Sequence, residues 1–259
     1  MEFVTLGKTN LLVSRTAFGG MSLDCKEIES APDPEEMVCA LVHQSYAAGI
    51  NFFDVARSKP LCEQRLARAL HGIRSNVFLA SKTSSLTPDG IQKDIDLSLE
   101  SLDTDTIDLY QVECDSEVPG LNCSDEGYKK LLSLKEEGIV SHIGLATYNH
   151  QTALEAVKSG LYETVQFPFN MLTEAGVLDI VKLCAQNDTG CIAMQPLNGG
   201  VLSNIPLAFG FLHQYENVVP VWGVHTQNEL DQLLYFNSHP PVIDEKFQAE
   251  VEKVRDFFN

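Results

Sequence analysis

Val77-Phe-Leu-Ala-Ser-Lys-Thr83, then Thr87-Pro88-Asp89, then Ile107-Asp-Leu-Tyr-Gln-Val-Glu113 form the stretch from which the fold can be read. Val77–Ser81 and Ile107–Val112 are short runs rich in Val, Ile, Leu and Phe, the composition of strands covered on both faces. Between them Thr87-Pro88-Asp89 opens a helix, and Ile91, Ile95, Leu99 and Leu102 recur along one of its faces. Strand, helix and strand in this order make a βαβ unit, whose two strands lie parallel.

The same alternation extends in both directions. Upstream, Arg15–Phe18 and Asn51–Asp54 read as strands. Downstream, His142–Ala146, Thr164–Phe167, Cys191–Met194 and Val218–Trp222 do the same, which makes eight with the central pair. Asp33-Pro34-Glu35-Glu36 has the cap, the proline and the acidic first turn of a helix start, and that helix runs to Gly49. Asp125 to Glu137 stops at Gly138, and Asn149 to Ser159 stops at Gly160. Ahead of all this, Phe3 to Val13 alternates around Gly7–Asn10 and reads as a hairpin. Eight strands alternating with helices predict an α/β fold, a closed (β/α)8 TIM barrel with an N-terminal β-hairpin. Periodicity leaves a doubly wound open sheet as its competitor.

The 259 residues suit one barrel, which uses about 250. No linker, low-complexity run or charge block divides them, so 1–259 is expected to be a single domain. The net charge of −18 disfavours nucleic acid and anionic membrane surfaces as partners. Seven cysteines, an odd number with no C-x-x-C pair, argue against a disulfide framework or a zinc site and for reduced thiols. The opening MEFVTLGKTN has no apolar signal core, and no run of about 18 apolar residues suggests a membrane span. A cytoplasmic location is the expectation.

Active sites of such barrels lie at the carboxyl ends of the strands. Asp54, Lys82 and Glu113 stand there, ionisable residues after apolar runs, with Gln166 on the sixth strand and Trp222-Gly-Val-His-Thr226 after the last. Burying such charges is costly unless they pair. An Asp54–Lys82 pair either tunes a proton-transfer group or is a salt bridge that closes the barrel mouth.

These segments resemble the aldo-keto reductase family along nearly the whole chain. Leu6-Gly-Lys-Thr-Asn10 and Phe18-Gly-Gly-Met21 are similar to its hairpin and first strand, and Phe52-Phe-Asp-Val-Ala-Arg57 with Cys62-Glu63 to its second strand and loop. Ala80-Ser-Lys82, Ile107-Asp-Leu-Tyr-Gln111, His142-Ile-Gly144, Val165-Gln166 and Met194-Gln-Pro-Leu-Asn-Gly-Gly200 follow in the family's order. The stretch from Pro220-Val-Trp-Gly223 to Pro240-Pro241 looks most like a bacterial group whose members often continue into a cysteine-rich iron–sulfur segment, which these 259 residues do not include.

The resemblance implies reduction of a small-molecule carbonyl by NADH or NADPH, with a catalytic Asp, Tyr, Lys and His. Asp54 and Lys82 match. Lys59 stands at the Tyr position and Glu113 at the His position. Lys59 either donates the proton in place of the phenol, joins a neutralised charge cluster with Lys82, Asp54 and Glu113, acts as a Schiff-base nucleophile, or points to solvent. Around the cofactor, Ala146-Thr147 replaces a Ser-Asn pair, Gln166 is retained, and Met194 replaces a stacking Tyr. Pro196, Leu197, Gly199 and Gly200 form a loop able to wrap a pyrophosphate, and Gly223, His225 and Thr226 lead into a helix N-terminus. No Lys or Arg occurs from Leu183 to Glu245, while six acids do. A 2′-phosphate would meet no fixed positive charge there, so NADH is less disfavoured than NADPH. No metal is expected. Three functions follow from this reading: a reductase with a degenerate catalytic set, a catalytically impaired relative that binds a small molecule or protein partner at the barrel mouth, or, on the resemblance alone, a domain that serves a larger redox protein through an iron–sulfur extension.

Overall fold

In the computed structural model, which describes residues 1–122 and 125–258, the central βαβ unit is β5 (Phe78–Thr83), α4 (Pro88–Leu102) and β6 (Ile107–Glu113). The Thr87 hydroxyl caps α4 by accepting from the Gly90 N–H at 3.2 Å. Ile91, Ile95 and Leu102 of the predicted face are buried, each burial stabilising by about 1.5–3 kcal/mol. Leu99 packs on the same core from its edge.

Around this unit stand β3 (Ala17–Gly19), β4 (Phe52–Asp54), β7 (Val140–Ala146), β8 (Thr164–Pro168), β9 (Gly190–Met194) and β10 (Val218–Gly223). All neighbours are parallel, and β10 pairs with both β9 and β3. That closure excludes the open doubly wound sheet and leaves the barrel without an edge. The other α-helices among the described residues are α1 (Lys26–Glu29), α2 (Pro34–Ala47), α3 (Pro60–Leu70), α5 (Glu126–Glu136), α6 (His150–Ser159), α7 (Val177–Gln186), α8 (Ile205–His213), α9 (Gln227–Ser238) and α10 (Glu245–Phe258). Asp33 caps α2, Asp125 caps α5 and Asn149 caps α6, as the turn residues predict.

The hairpin, β1 (Phe3–Thr5) and β2 (Leu12–Ser14), plugs the amino-terminal end. Its Leu6 and Val13 complete a cluster inside the barrel with Ala17, Phe52, Ala80, Leu109, Ile192 and Val219. The plug sits so close to β9 that a Cβ on Gly7 (φ +51°) would lie 2.3 Å from the Gly190 nitrogen. Only glycine suits both that contact and that conformation.

Three strands, β3, β4 and β5, begin later than the sequence suggests, the first two for one reason. Asn51 spends its side chain on the hairpin, accepting from the Ser14 N–H at 2.7 Å and donating to the Leu12 carbonyl at 3.0 Å. Arg15 turns out to Glu2 at 2.6 Å and to the His213 carbonyl at 2.9 Å. Both residues join plug to barrel, so the ladders start at Phe52 and Ala17. Cys25, Cys39, Cys62, Cys114, Cys184 and Cys191 are unbridged, and Cys123 lies outside the described residues. Among the described residues, no helix is long and apolar enough to cross a membrane.

Candidate active site

The two-residue period of a strand carries the inner face upward from the plug. Phe52 is followed by Asp54, Ala80 by Lys82, Leu109 by Gln111 and Glu113, and Ile192 by Met194. The register aligns Lys82 with Gln111, Glu113 with Ala146, and Ala146 with Gln166. An apolar layer therefore gives way to a polar one at the carboxyl ends of the strands.

At its centre Lys82 and Asp54 form an ion pair, 5% and 2% exposed. The Lys82 ammonium donates to both Asp54 oxygens at 2.6 Å and to the Val55 carbonyl at 3.0 Å. Those bonds use all three of its protons. Gln111 donates to Gln166 Oε1 at 2.8 Å, and both amides aim an N–H at Asp54 from 3.4 Å. Gln111, which ends the Ile107–Gln111 motif but is not among the site residues expected from the sequence, lies two residues from Glu113 and so on the same face of β6.

Above this layer is a cavity of about 390 Å³, on whose wall the structure brings together Asp54, Lys82, Glu113, Gln166, Met194, Gly223 and His225. Asp24 and Tyr148 also line it, and neither was singled out from the sequence. Lys59 does not line it. The Lys59 ammonium, on a side chain 43% exposed, bonds Asp24 Oδ2 at 2.7 Å. That bond, aided by the Asp24 charge and opposed by slight burial, raises the Lys59 pKa. The same carboxylate acts on Cys62: burial first, then the Asp24 charge, pushes that thiol up to about 11. Tyr148 is half exposed, and its phenol is raised by burial and then by Glu113, Asp115 and Asp54.

A groove of about 520 Å³ adjoins the cavity and shares Gln195, Val221, Gly223 and His225 with it. Pro196, Leu197, Gly199 and Gly200 line it together with Trp222 and Glu229. Gln195 (φ +56°), Asn198 (φ +48°), Gly199 (φ +65°) and Gly200 (φ +91°) hold this loop in left-handed conformations. Two of these are not glycine, and such outliers gather at functional sites. Thr226 caps α9, accepting from the Glu229 N–H at 3.2 Å. The Glu229 carboxylate folds back to accept from the His225 N–H at 2.8 Å and lies 3.1 Å from His225 Nδ1. The start of α9 thus already holds an anion of its own. Thr147 is fully buried and lines neither space: it donates to Asp115 at 2.9 Å and accepts from the Asn149 N–H at 3.1 Å.

Behind the site lies a second buried charge that no spacing announced. Glu63 on α3 is fully buried, 2.6 Å from Arg57, and accepts from Ser81 at 3.0 Å and Ser98 at 2.7 Å. Burial, outweighing these partners, raises its pKa. The cluster ties the loop after β4 to β5 and α4 through α3. No group of three His, Cys, Asp or Glu side chains among the described residues is placed to hold a metal ion.

Fold and site together define a parallel (β/α)8 barrel with a buried Asp–Lys pair at its carboxyl end. The profile of the Aldo/keto reductase family matches residues 15–206, and the chain belongs to that family. It is 27% identical to L-galactose dehydrogenase of Arabidopsis thaliana over 223 residues, which cover 78% of this chain and 67% of that protein. It is 23% identical to the uncharacterized oxidoreductase YqkF of Bacillus subtilis over 216 residues, with the same coverage of 78% and 67%. The matches span about two thirds of the length of these curated relatives. Among solved structures, the holo form of an aldo-keto reductase from Bacillus halodurans superposes with a TM-score of 0.82 at 20% identity, covering 98% of this chain and 96% of that one. An aldo-keto reductase from Klebsiella pneumoniae in complex with NADPH superposes with a TM-score of 0.79 at 16% identity, covering 98% and 95%.

Proposed function

We propose that this chain is a small-molecule-binding member of its family in which carbonyl reduction is impaired, a single barrel domain over residues 1–259 that works in the cytoplasm. The observation that carries this reading is the state of the two lysines. All three protons of Lys82 are given to Asp54 and the Val55 carbonyl. Lys59, at the position of the family's phenol, is held by Asp24 and lies off the cavity wall. A general acid must sit within hydrogen-bond reach of the group it protonates and have a pKa near the working pH. Lys59 is displaced on the first count, and its raised pKa moves it the wrong way on the second.

The residues present fit a nicotinamide dinucleotide poorly. The groove wall has no Lys or Arg and does carry the Glu229 carboxylate, which would face an anionic pyrophosphate. The Thr147 hydroxyl, in place of a carboxamide partner, is committed to Asp115. NADPH is disfavoured more than NADH, since its 2′-phosphate adds charge. The net charge of −18 supports the exclusion of nucleic acid and anionic membrane surfaces as partners.

A second reading, a reductase of unusual design acting on a small-molecule carbonyl, is favoured by the intact Asp54–Lys82 pair sharing a cavity with Gln166 and Tyr148. Hydride transfer from NADH and NADPH to a panel of aldehydes and quinones separates the two. The proposal expects no oxidation above buffer controls, and no recovery in Lys59→Tyr. Turnover that disappears in Lys82→Met would establish the reductase instead.

A further inference from the structure

The polar atoms on the cavity wall favour one class of ligand. Two of its carboxylates are neutralised, Asp54 by Lys82 and Asp24 by Lys59. Glu113 is different: among the described residues its carboxylate has neither an ion-pair partner nor a hydrogen bond, and it lines the cavity. The donors are committed in the opposite sense. Lys82 is saturated, and the Ser22 hydroxyl lies 3.1 Å from the carbonyls of Gly19 and Val224. Gln166 gives an N–H to Asp54 and has its own oxygen taken by Gln111. The wall therefore carries one unmatched negative charge and no unmatched positive one. A carboxylate or phosphate would find no free Lys or Arg to pair with, only the neutral Tyr148 hydroxyl and Gln195 amide and a His225 ring whose Nδ1 lies 3.1 Å from Glu229.

The rest of the wall suits an organic cation. Tyr148, whose phenol pKa is raised by burial and then by the Glu113 charge, brings an aromatic ring to the same mouth. The faces of such rings attract ammonium groups. Met21 and Met194 add soft, adaptable apolar surface. We propose that the barrel-mouth cavity binds an amine: a small organic ammonium whose charge sits on Glu113 and the Tyr148 ring, and whose apolar part lies against the methionines. This inference rests on the reading of the cavity as a ligand site and names the ligand's class.

Three probes of one skeleton test it by calorimetry on the full chain: 2-phenylethylammonium, neutral 2-phenylethanol and anionic 3-phenylpropionate. The ammonium is expected to bind at least tenfold more tightly than the alcohol, and the carboxylate more weakly than either. Glu113→Gln should abolish the preference for the cation and leave the affinity for the alcohol within twofold. Tyr148→Leu should weaken the ammonium severalfold while Glu113 is retained, so the proposal does not hang on one variant's folding. Equal or tighter binding of the alcohol or carboxylate would overturn the amine assignment and keep the cavity as a ligand site. No binding of any probe would overturn the ligand-site reading itself.

Discussion

Asp54→Asn removes the negative half of the central pair with almost no change of shape. The Lys82 ammonium, 5% exposed, would keep the Val55 carbonyl at 3.0 Å and gain at most one amide oxygen in place of two charged ones. Breaking a buried pair from one side costs about 3–5 kcal/mol, because the remaining charge is stranded. The surviving acceptors place this case near the lower figure, about 3 kcal/mol. At about 2–4 °C per kcal/mol for a chain of this size, the melting temperature should fall by roughly 6–12 °C. Circular dichroism melts and urea titrations of the wild type, Asp54→Asn and the double variant Asp54→Leu/Lys82→Met provide the assay. The double variant removes both charges and should recover most of the loss. A single variant melting within a degree of the wild type, or a double variant no better than the single, would refute the picture of a dry, mutually dependent pair.

Three other perturbations have defined outcomes. Lys59→Ala breaks an exposed pair and should cost no more than about 1 kcal/mol in denaturant titrations, far less than Asp54→Asn. Gly7→Ala meets both a 2.3 Å contact and a left-handed φ, and should destabilise by about 2 kcal/mol or more, loosening the plug as read by hydrogen exchange at Leu6 and Val13. Glu163 has its pKa lowered to about 2: burial works against this, but hydrogen bonds from His142, Lys135 and the Ile143 N–H prevail. A carboxyl whose folded pKa lies below its unfolded 4.5 contributes stability that is full above that value and lost as pH falls toward 2. Glu163→Gln should therefore lower stability at pH 7 by on the order of 1–3 kcal/mol and flatten the decline in denaturation midpoint between those two pH values. An unchanged acid profile would refute this assignment.

Much of the fold was legible because its signals are local. Asp33-Pro34, Thr87-Pro88 and Asn149 each mark a helix start within a few residues, and the buried strands announce themselves by composition. The polar layer was legible for the same reason: Asp54, Lys82, Glu113 and Gln166 sit at the ends of apolar runs, and strand ends are where such a barrel places its chemistry. What stayed hidden depends on partners distant in the chain. Lys59 is turned by Asp24, which lies 35 residues away in sequence. Thr147 is claimed by Asp115, 32 residues earlier, and Glu63 is held by Ser81 and Ser98, 18 and 35 residues further on. The fold-back of Glu229 onto His225 is a choice of rotamer at a helix start, invisible to spacing. Helix α8 escaped notice differently: its sequence, Ile205-Pro-Leu-Ala-Phe-Gly-Phe-Leu-His213, is apolar on every side and has no periodic face to detect.

On the proposed function, the barrel keeps its fold while the groove beside Trp222 does not suit a nicotinamide dinucleotide, and titration of the protein with NADPH and NADH reads this out. Trp222, the one tryptophan in the chain, lines that groove and stacks on Phe209 at 6.0 Å, so its fluorescence reports occupancy while calorimetry measures affinity. Neither nucleotide should give saturable heat or specific quenching up to about 1 mM, which corresponds to a binding free energy weaker than about −4 kcal/mol. Saturation by either nucleotide at micromolar concentration would contradict the proposed function.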